Sequence, residues 1–177
     1  MPIYRIDLEP VAKGRPRFSA RKKKNGEVFG HAYMPERTRT YEKSVREILK
    51  KSRPTVIEGP VSLRLEFVLK RPGYMDKPKF RRENPVTPAH TNKPDSDNLE
   101  KAVKDACNGL LWLDDSQVVH TIKSKRYAEP GEEPHTILEV SHASSEIRLS
   151  STVGMRATVL ARYRAWFKYF ASLGDDL

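Results

Sequence analysis

Five aspartates lie between residues 95 and 115, in a chain whose formal net charge is +10. Their spacing, Asp95-x-Asp97 followed by the adjacent pair Asp114 and Asp115, could bring three carboxylates together. Carboxylates that close repel one another and raise one another's pKa unless a cation lies among them. A hard ion that prefers oxygen ligands, such as Mg²⁺, suits such a site. The residues therefore suggest metal-dependent chemistry.

Helical periodicity explains how the first two aspartates would be positioned. Apolar residues recur at helical spacing and predict an amphipathic helix over 98–108. Asp97 then lies at the N-cap, and Glu100 completes a capping box. Asp95 lies on the approach to the helix, so that both aspartates are at the positive end of its dipole.

One polar face of this helix carries Asp97, Lys101 and Asp105, each four residues apart. In one interpretation, Lys101 supplies positive charge to a bound phosphate. In the other, Lys101 and Asp97 form an ordinary ion pair one turn apart, and Asp97 is an ordinary cap. The residue types alone leave both interpretations open.

The second acidic pair precedes a predicted strand over 118–127. If that strand packs beside the helix, Asp114 or Asp115 can approach Asp95 and Asp97 and complete a site with three carboxylates. The same pair could instead form a turn. The presence of both acidic pairs with a lysine between them favours the site.

The residues from Pro94 to Val118 read Pro-Asp-x-Asp-Asn-Leu-x-Lys-Ala, then Asp-Ala, then Leu-Asp-Asp-x-Gln-Val. This pattern resembles the signature of the RusA family of Holliday-junction resolvases, which phages and prophages commonly carry. The resemblance covers roughly residues 2–142. It implies a catalytic set of Asp95, Asp97, Lys101 and Asp115, with Asp114 and Asp105 as possible additional members.

The resemblance also implies an activity. A RusA-like protein is a Mg²⁺-dependent endonuclease that resolves four-way DNA junctions by paired symmetric hydrolysis during recombination and repair. Asp95, Asp97 and Asp115 would hold the Mg²⁺, for which Mn²⁺ can substitute, and the protein would act as a homodimer. No small-molecule cofactor is expected. Two alternatives remain: a DNA-binding module without catalysis, and a metal-dependent nuclease for other branched or single-stranded DNA.

Basic residues are concentrated near the N-terminus. The stretch 13–24 contains seven Lys and Arg residues and no acid, and the isoelectric point is near 9.7. Glycine and proline in this stretch predict a surface loop, which either grips phosphates or is merely solvated. The residues predicted to bind DNA are Lys13, Arg15, Arg17, Arg21, Lys22, Lys23, Lys24 and Lys93.

Strand and helix patterns along the chain predict an α/β (α+β) fold, RusA-like, in which a small mixed sheet has helices packed on one face. An extra C-terminal helix is predicted over 152–173. We expect an endonuclease domain over 1–142 and a helical extension over 143–177 that packs on the domain or on a dimer partner. A long proline-rich loop over 71–90 is expected to face the substrate. With no apolar run of membrane-spanning length and no signal peptide, a cytoplasmic location is expected.

Overall fold

A four-stranded mixed sheet carries two helices on one face in the computed structural model, which describes residues 1–22 and 27–143. The strands are β1 (Ile3–Ile6), β2 (Arg17–Lys22), β3 (Val28–Tyr33), β4 (Val61–Leu69), β5 (Val118–Tyr127) and β6 (His135–His142). The helices are α1 (Glu36–Lys51), α2 (Pro78–Glu83) and α3 (Ser96–Cys107). The order in the main sheet is β1-β6-β4-β5, in which β4 and β5 are parallel and the other pairs antiparallel. This architecture confirms the predicted fold class for the described residues.

The core lies between the main sheet and the helices α1 and α3. Alternate residues of β4, from Val61 to Leu69, are buried against the apolar faces of both helices, because successive strand residues point to opposite faces. The lone cysteine, Cys107, is fully buried at the end of α3, and burial raises the pKa of its thiol. The helical spacing predicted for α3 therefore identified the face that this helix buries in the core.

The crossover from β4 through α3 to β5 decides where the acidic residues lie. Because β4 and β5 are parallel, the helix that connects them runs back in the opposite direction. The first turn of α3 therefore lies near the carboxyl ends of the two strands. The last turn of α3 lies near the start of β5.

Three local predictions require correction. The helix begins at Ser96, so Asp95 and not Asp97 occupies the N-cap position, and its side chain makes no capping hydrogen bond. The basic stretch near the N-terminus is not a plain loop, since β2 and β3 form a separate antiparallel two-stranded sheet, here called the ribbon. The loop over 71–90 contains a 3₁₀ turn at Gly73–Asp76 and the short helix α2.

Several predicted features lie outside the described residues. These are Lys23, Lys24, the C-terminal helix over 152–173 and all of the extension except its first residue. Within the described ranges, no helix has the length and apolar character needed to cross a membrane.

Candidate active site

The start of α3 presents two exposed aspartates. Asp95 is exposed at the N-cap position, and the side chain of Asp97, in the first turn, is 83% exposed. The chain reaches Asp95 through a cis Lys93–Pro94 peptide bond. Both carboxylates therefore stand at the surface, where the helix dipole favours negative charge.

Lys123 of β5 binds this helix start. Its ammonium group donates hydrogen bonds to Asp97 Oδ1 and, at 2.6 Å, to Glu100 Oε2. The hydrogen bond from Lys123 lowers the pKa of Asp97. Burial disfavours the charged form of Lys123, but the two carboxylates outweigh it and raise its pKa. The predicted capping box is absent because Glu100 faces Lys123 rather than the start of its own helix.

Lys125 fixes the approach to the helix. Its Nζ donates to the backbone oxygens of Asn92 at 2.7 Å and Pro94 at 2.9 Å. Neither β5 lysine was among the predicted site residues. Strand alternation could have found them, because Lys123 and Lys125 pair with Leu65 and Phe67 on the core-facing side of the sheet, where a lysine needs a polar partner.

The second acidic pair is held by local structure. Asp114 caps a 3₁₀ turn over Asp115–Gln117, and hydrogen bonds from the hydroxyl group and the backbone N–H of Ser116 lower the pKa of Asp114. Asp115 is partly buried, and its Oδ1 accepts a hydrogen bond of 3.0 Å from the indole N–H of the fully buried Trp112. This confirms the turn at the pair that the sequence left as an alternative.

The predicted carboxylates are not brought together within one chain. Trp112 pairs with Asn108 just after the last turn of α3, which places Asp115 at that end of the helix. Asp97 lies ten residues before Cys107, or about 15 Å along the axis at about 1.5 Å per residue. Among the described residues, no three His, Cys, Asp or Glu side chains are grouped to hold a metal ion. The expected approach of Asp115 to Asp95 and Asp97 is therefore wrong for a single chain, because the helix runs antiparallel to β5.

The other predicted residues on α3 have different surroundings. Lys101 is exposed, and the alternative ion pair between Asp97 and Lys101 is replaced by the pair between Asp97 and Lys123. Asp105 forms an ion pair of 2.5 Å with Lys13, which also binds Glu42 at 2.6 Å. Burial disfavours the charge on Lys13, but the two carboxylates raise its pKa.

The predicted DNA-binding residues divide into groups. Arg15, Arg17 and Lys93 are exposed, whereas the side chain of Lys13 is 19% exposed and engaged in ion pairs. Arg21 and Lys22 lie in β2 of the ribbon. The exposed basic residues remain available to a polyanion, and Lys13 instead anchors the chain to α3.

Exposed acids at a helix start, in a chain with a formal net charge of +10, are compatible with an enzyme that acts on a polyanion. A family model described as endodeoxyribonuclease RusA matches residues 7–141. A protein of Bacillus subtilis (strain 168), described as uncharacterized protein YqaN, is 40% identical over 138 residues, which are 75% of this chain and 92% of that protein. The chain therefore belongs to the RusA family, whose members are junction-resolving endodeoxyribonucleases and generally depend on a divalent metal ion.

Proposed function

We propose that this protein is a Mg²⁺-dependent endonuclease that resolves four-way DNA junctions by paired symmetric hydrolysis in recombination and repair. The observation that carries the proposal is the start of α3, where Asp95 and Asp97 stand exposed on a helix that Lys123 and Lys125 hold to β5. A rigid support with accessible carboxylates suits phosphodiester chemistry. Family membership supports the junction as substrate.

The roles of the residues follow the predicted set. Asp95, Asp97 and Asp115 hold the divalent ion, Mg²⁺ with Mn²⁺ able to replace it. When bound, the ion orients the attacking water and neutralises charge on the phosphate. Lys101, exposed one turn beyond Asp97, stabilises charge on the phosphate or on the leaving oxygen.

Two further acids support the site indirectly. Asp114 caps the turn that contains Asp115 and so fixes the position of that carboxylate. Asp105 binds Lys13 and so ties the N-terminal segment to α3. Neither side chain needs to contact the substrate in this proposal.

A homodimer would bring the third carboxylate to the site. β5 is at the edge of the main sheet in the described part of the chain, and Val119 near its start is 63% exposed. If two β5 strands pair antiparallel about a two-fold axis near Val119, the residues before Val119 in one copy lie opposite the residues after Val119 in the other. Asp115 then approaches the partner's Lys123, and with it the partner's Asp97. A four-way junction is itself nearly two-fold symmetric, which suits two equivalent sites.

We further propose an endonuclease domain over 1–142 and an extension over 143–177 that packs on it or on the partner. An enzyme that acts on the DNA of the cell must be in the same compartment as that DNA, so we expect a cytoplasmic location.

A second candidate is a DNA-binding module without catalysis. The separation of Asp115 from Asp97 within one chain favours it, because two carboxylates, of which Asp97 is already paired with Lys123, make a weak site for a divalent ion. The two candidates share the basic surface, and cleavage distinguishes them.

The test is incubation of the purified full chain with a labelled four-way junction in Mg²⁺, beside matched duplex and flap DNA. We expect paired symmetric nicks on the junction, and a loss of about 100-fold to about 1000-fold for Asp95→Asn, as when one preorganised charge is removed. Asp7→Asn is the matched control, since Asp7 is an exposed aspartate of β1's C-terminal flank that pairs with Arg5.

Three other results would each change the conclusion. Tight, salt-sensitive binding without cutting in Mg²⁺ or Mn²⁺ would leave the DNA-binding module. Stronger cutting of flap or single-stranded DNA than of the junction would make the protein a nuclease for those substrates. Equal activity of Asp95→Asn and the native chain would remove α3 from the chemistry.

A further inference from the structure

The ribbon carries a row of aromatic rings that the fold leaves exposed. Phe29, His31 and Tyr33 alternate along β3, and the centroids of successive rings are 6.3 Å and 5.8 Å apart. Phe29 is 57% exposed and Tyr33 is 41% exposed. Large apolar groups grouped at a surface mark an interaction site more often than a structural one.

Positive charge shares the face of this ring row. Arg17 is opposite Tyr33 and Ser19 is opposite His31 in the antiparallel register, and opposite residues point to the same face. Arg17 is exposed. Rings that stack on bases, beside cations that bind phosphates, are the combination that holds single-stranded nucleic acid.

The charge of the ribbon disfavours a second copy of the chain as its partner. The two strands of the ribbon contain Arg17, Arg21 and Lys22 and no Asp or Glu. Two such segments placed face to face would repel each other, whereas a polyanion would be attracted. Nucleic acid is therefore the partner that both the rings and the charge fit.

The base of the ribbon lies beside the start of α3. Lys13 N–H donates to the backbone oxygen of Asn98 at 2.8 Å, and Asn98 follows Asp97 in the first turn. The two ends of the ribbon also pack together, since a Cβ added at Gly14 would lie 2.8 Å from Pro35 Cγ. DNA held by the ribbon would thus be close to the acidic residues.

We infer that the face formed by Phe29, His31 and Tyr33 stacks on bases that lose their neighbours at the branch point of the DNA, while Arg15 and Arg17 bind the adjacent phosphates. This inference rests on the proposed function and deepens it. The inference narrows the expected substrate from branched DNA in general to branched DNA whose bases are unstacked at the branch point.

The test couples a change in the protein with a change in the DNA. In the Asp95→Asn background, which leaves the DNA uncut, affinity is measured for a four-way junction with normal bases or with abasic residues at the branch point. The abasic residues should weaken binding by about five-fold to about a hundred-fold. The Tyr33→Val substitution removes the ring and keeps a strand-forming residue. In the double variant Asp95→Asn and Tyr33→Val, the abasic residues should therefore weaken binding little.

Two controls separate stacking from charge and from folding. Phe18 is 84% exposed on the opposite face, where it pairs with Ala32, so Phe18→Val should leave affinity within about two-fold. Tyr33→Val should also leave the dependence of affinity on salt unchanged. Arg17→Ala should reduce the slope of log affinity against log salt concentration by about 1, which corresponds to the loss of one phosphate contact.

Equal abasic losses with and without Tyr33→Val would overturn the inference. A change in sedimentation with Tyr33→Val, at unchanged DNA affinity, would also overturn it and would make the ring row a contact between copies. Because affinity is measured on uncut DNA, failure of the native chain to cleave would reject the proposed nuclease and leave this measurement valid.

Discussion

The two ends of α3 both carry acidic side chains, but the fold uses them differently. At the start, Asp97 is 83% exposed and is bound by the long, flexible side chain of Lys123. At the end, Asp115 accepts a hydrogen bond from the buried Trp112, and Asp105 is paired with the mostly buried Lys13. The acids near the end of the helix therefore make contacts that stabilise the fold, whereas the acids at its start remain accessible to solvent.

This difference separates stability from function. A carboxylate that satisfies a buried donor or cation costs free energy of unfolding when it loses that partner. An exposed carboxylate beside a flexible lysine contributes little, because solvent screens the pair. Substitutions of Asp97 and of Asp105 should therefore have opposite signatures, whereas Asp115, which the proposed site also uses, should affect both activity and stability.

The largest effect is expected at the start of the helix. Asp97→Asn should lower junction cleavage by about 100-fold to about 1000-fold while the free energy of unfolding changes little, because solvent screens the pair with Lys123. Asp114→Asn is the matched change near the other end, and asparagine also caps turns, so it should lower cleavage only a few-fold. Cleavage rates and denaturant unfolding measure both; similar losses of activity for the two variants would contradict the comparison.

The ion pairs of Lys13 should contribute the next effect. Lys13→Met leaves the carboxylates of Glu42 and Asp105 without their cation, so the free energy of unfolding should fall by about 2–3 kcal/mol. Arg17→Ala removes an exposed cation and should cost less than about 0.5 kcal/mol. If urea unfolding gave equal costs for these two variants, Lys13 would not be an anchor.

Removal of the indole donor should have a smaller effect. Trp112→Phe keeps an aromatic ring in the core and removes the hydrogen bond to Asp115, at a cost of about 1.5 kcal/mol. Combination with Asp115→Ala, which removes the acceptor, should add little, since both changes remove the same contact. Additive costs in this double-mutant cycle would mean that the two residues are independent.

The smallest effect concerns ionisation. In Lys123→Met, the pKa of Asp97 should rise toward its ordinary value, while that of Asp114, lowered by Ser116, should not move. Because the native pKa of Asp97 is lowered, its contribution to stability is present above the ordinary pKa and is lost as pH falls through the native value. The variant should therefore lose less stability on acidification. NMR titration of the two carboxyl groups measures the shifts, and an unmoved Asp97 would contradict the ion pair.

Most of the main sheet and both large helices could be predicted from the sequence. Alternate apolar residues mark β4, and helical spacing marks α1 and α3, because each of these elements buries one face in the core. The ribbon could not be recognised in the same way. Nearly all of the described side chains of its two strands are exposed. Because neither face is buried, its strands lack the alternation of apolar and polar residues that marks a half-buried strand.

The candidate site could be predicted only in part. The aspartates at the start of α3 follow from the spacing of the motif, but the partner of Asp97 is Lys123, which lies on a strand that is distant in sequence. The position of Asp115 depends on the direction of α3 relative to β5, which requires the strand order. The pairing of Asp97 and the position of Asp115 both depend on contacts between segments that are distant in the sequence, and local sequence patterns do not show such contacts.

The most direct test of the central claim is a mixing experiment with Asp97→Asn and Asp115→Asn chains on the four-way junction. Each variant alone should be inactive. If each site takes Asp97 from one copy and Asp115 from the other, a mixed dimer contains one intact site, and nicking should return when the variants are refolded together. If mixing restores no nicking while native chains refolded in the same way cut the junction, the two residues do not act across a dimer and the proposed site is wrong.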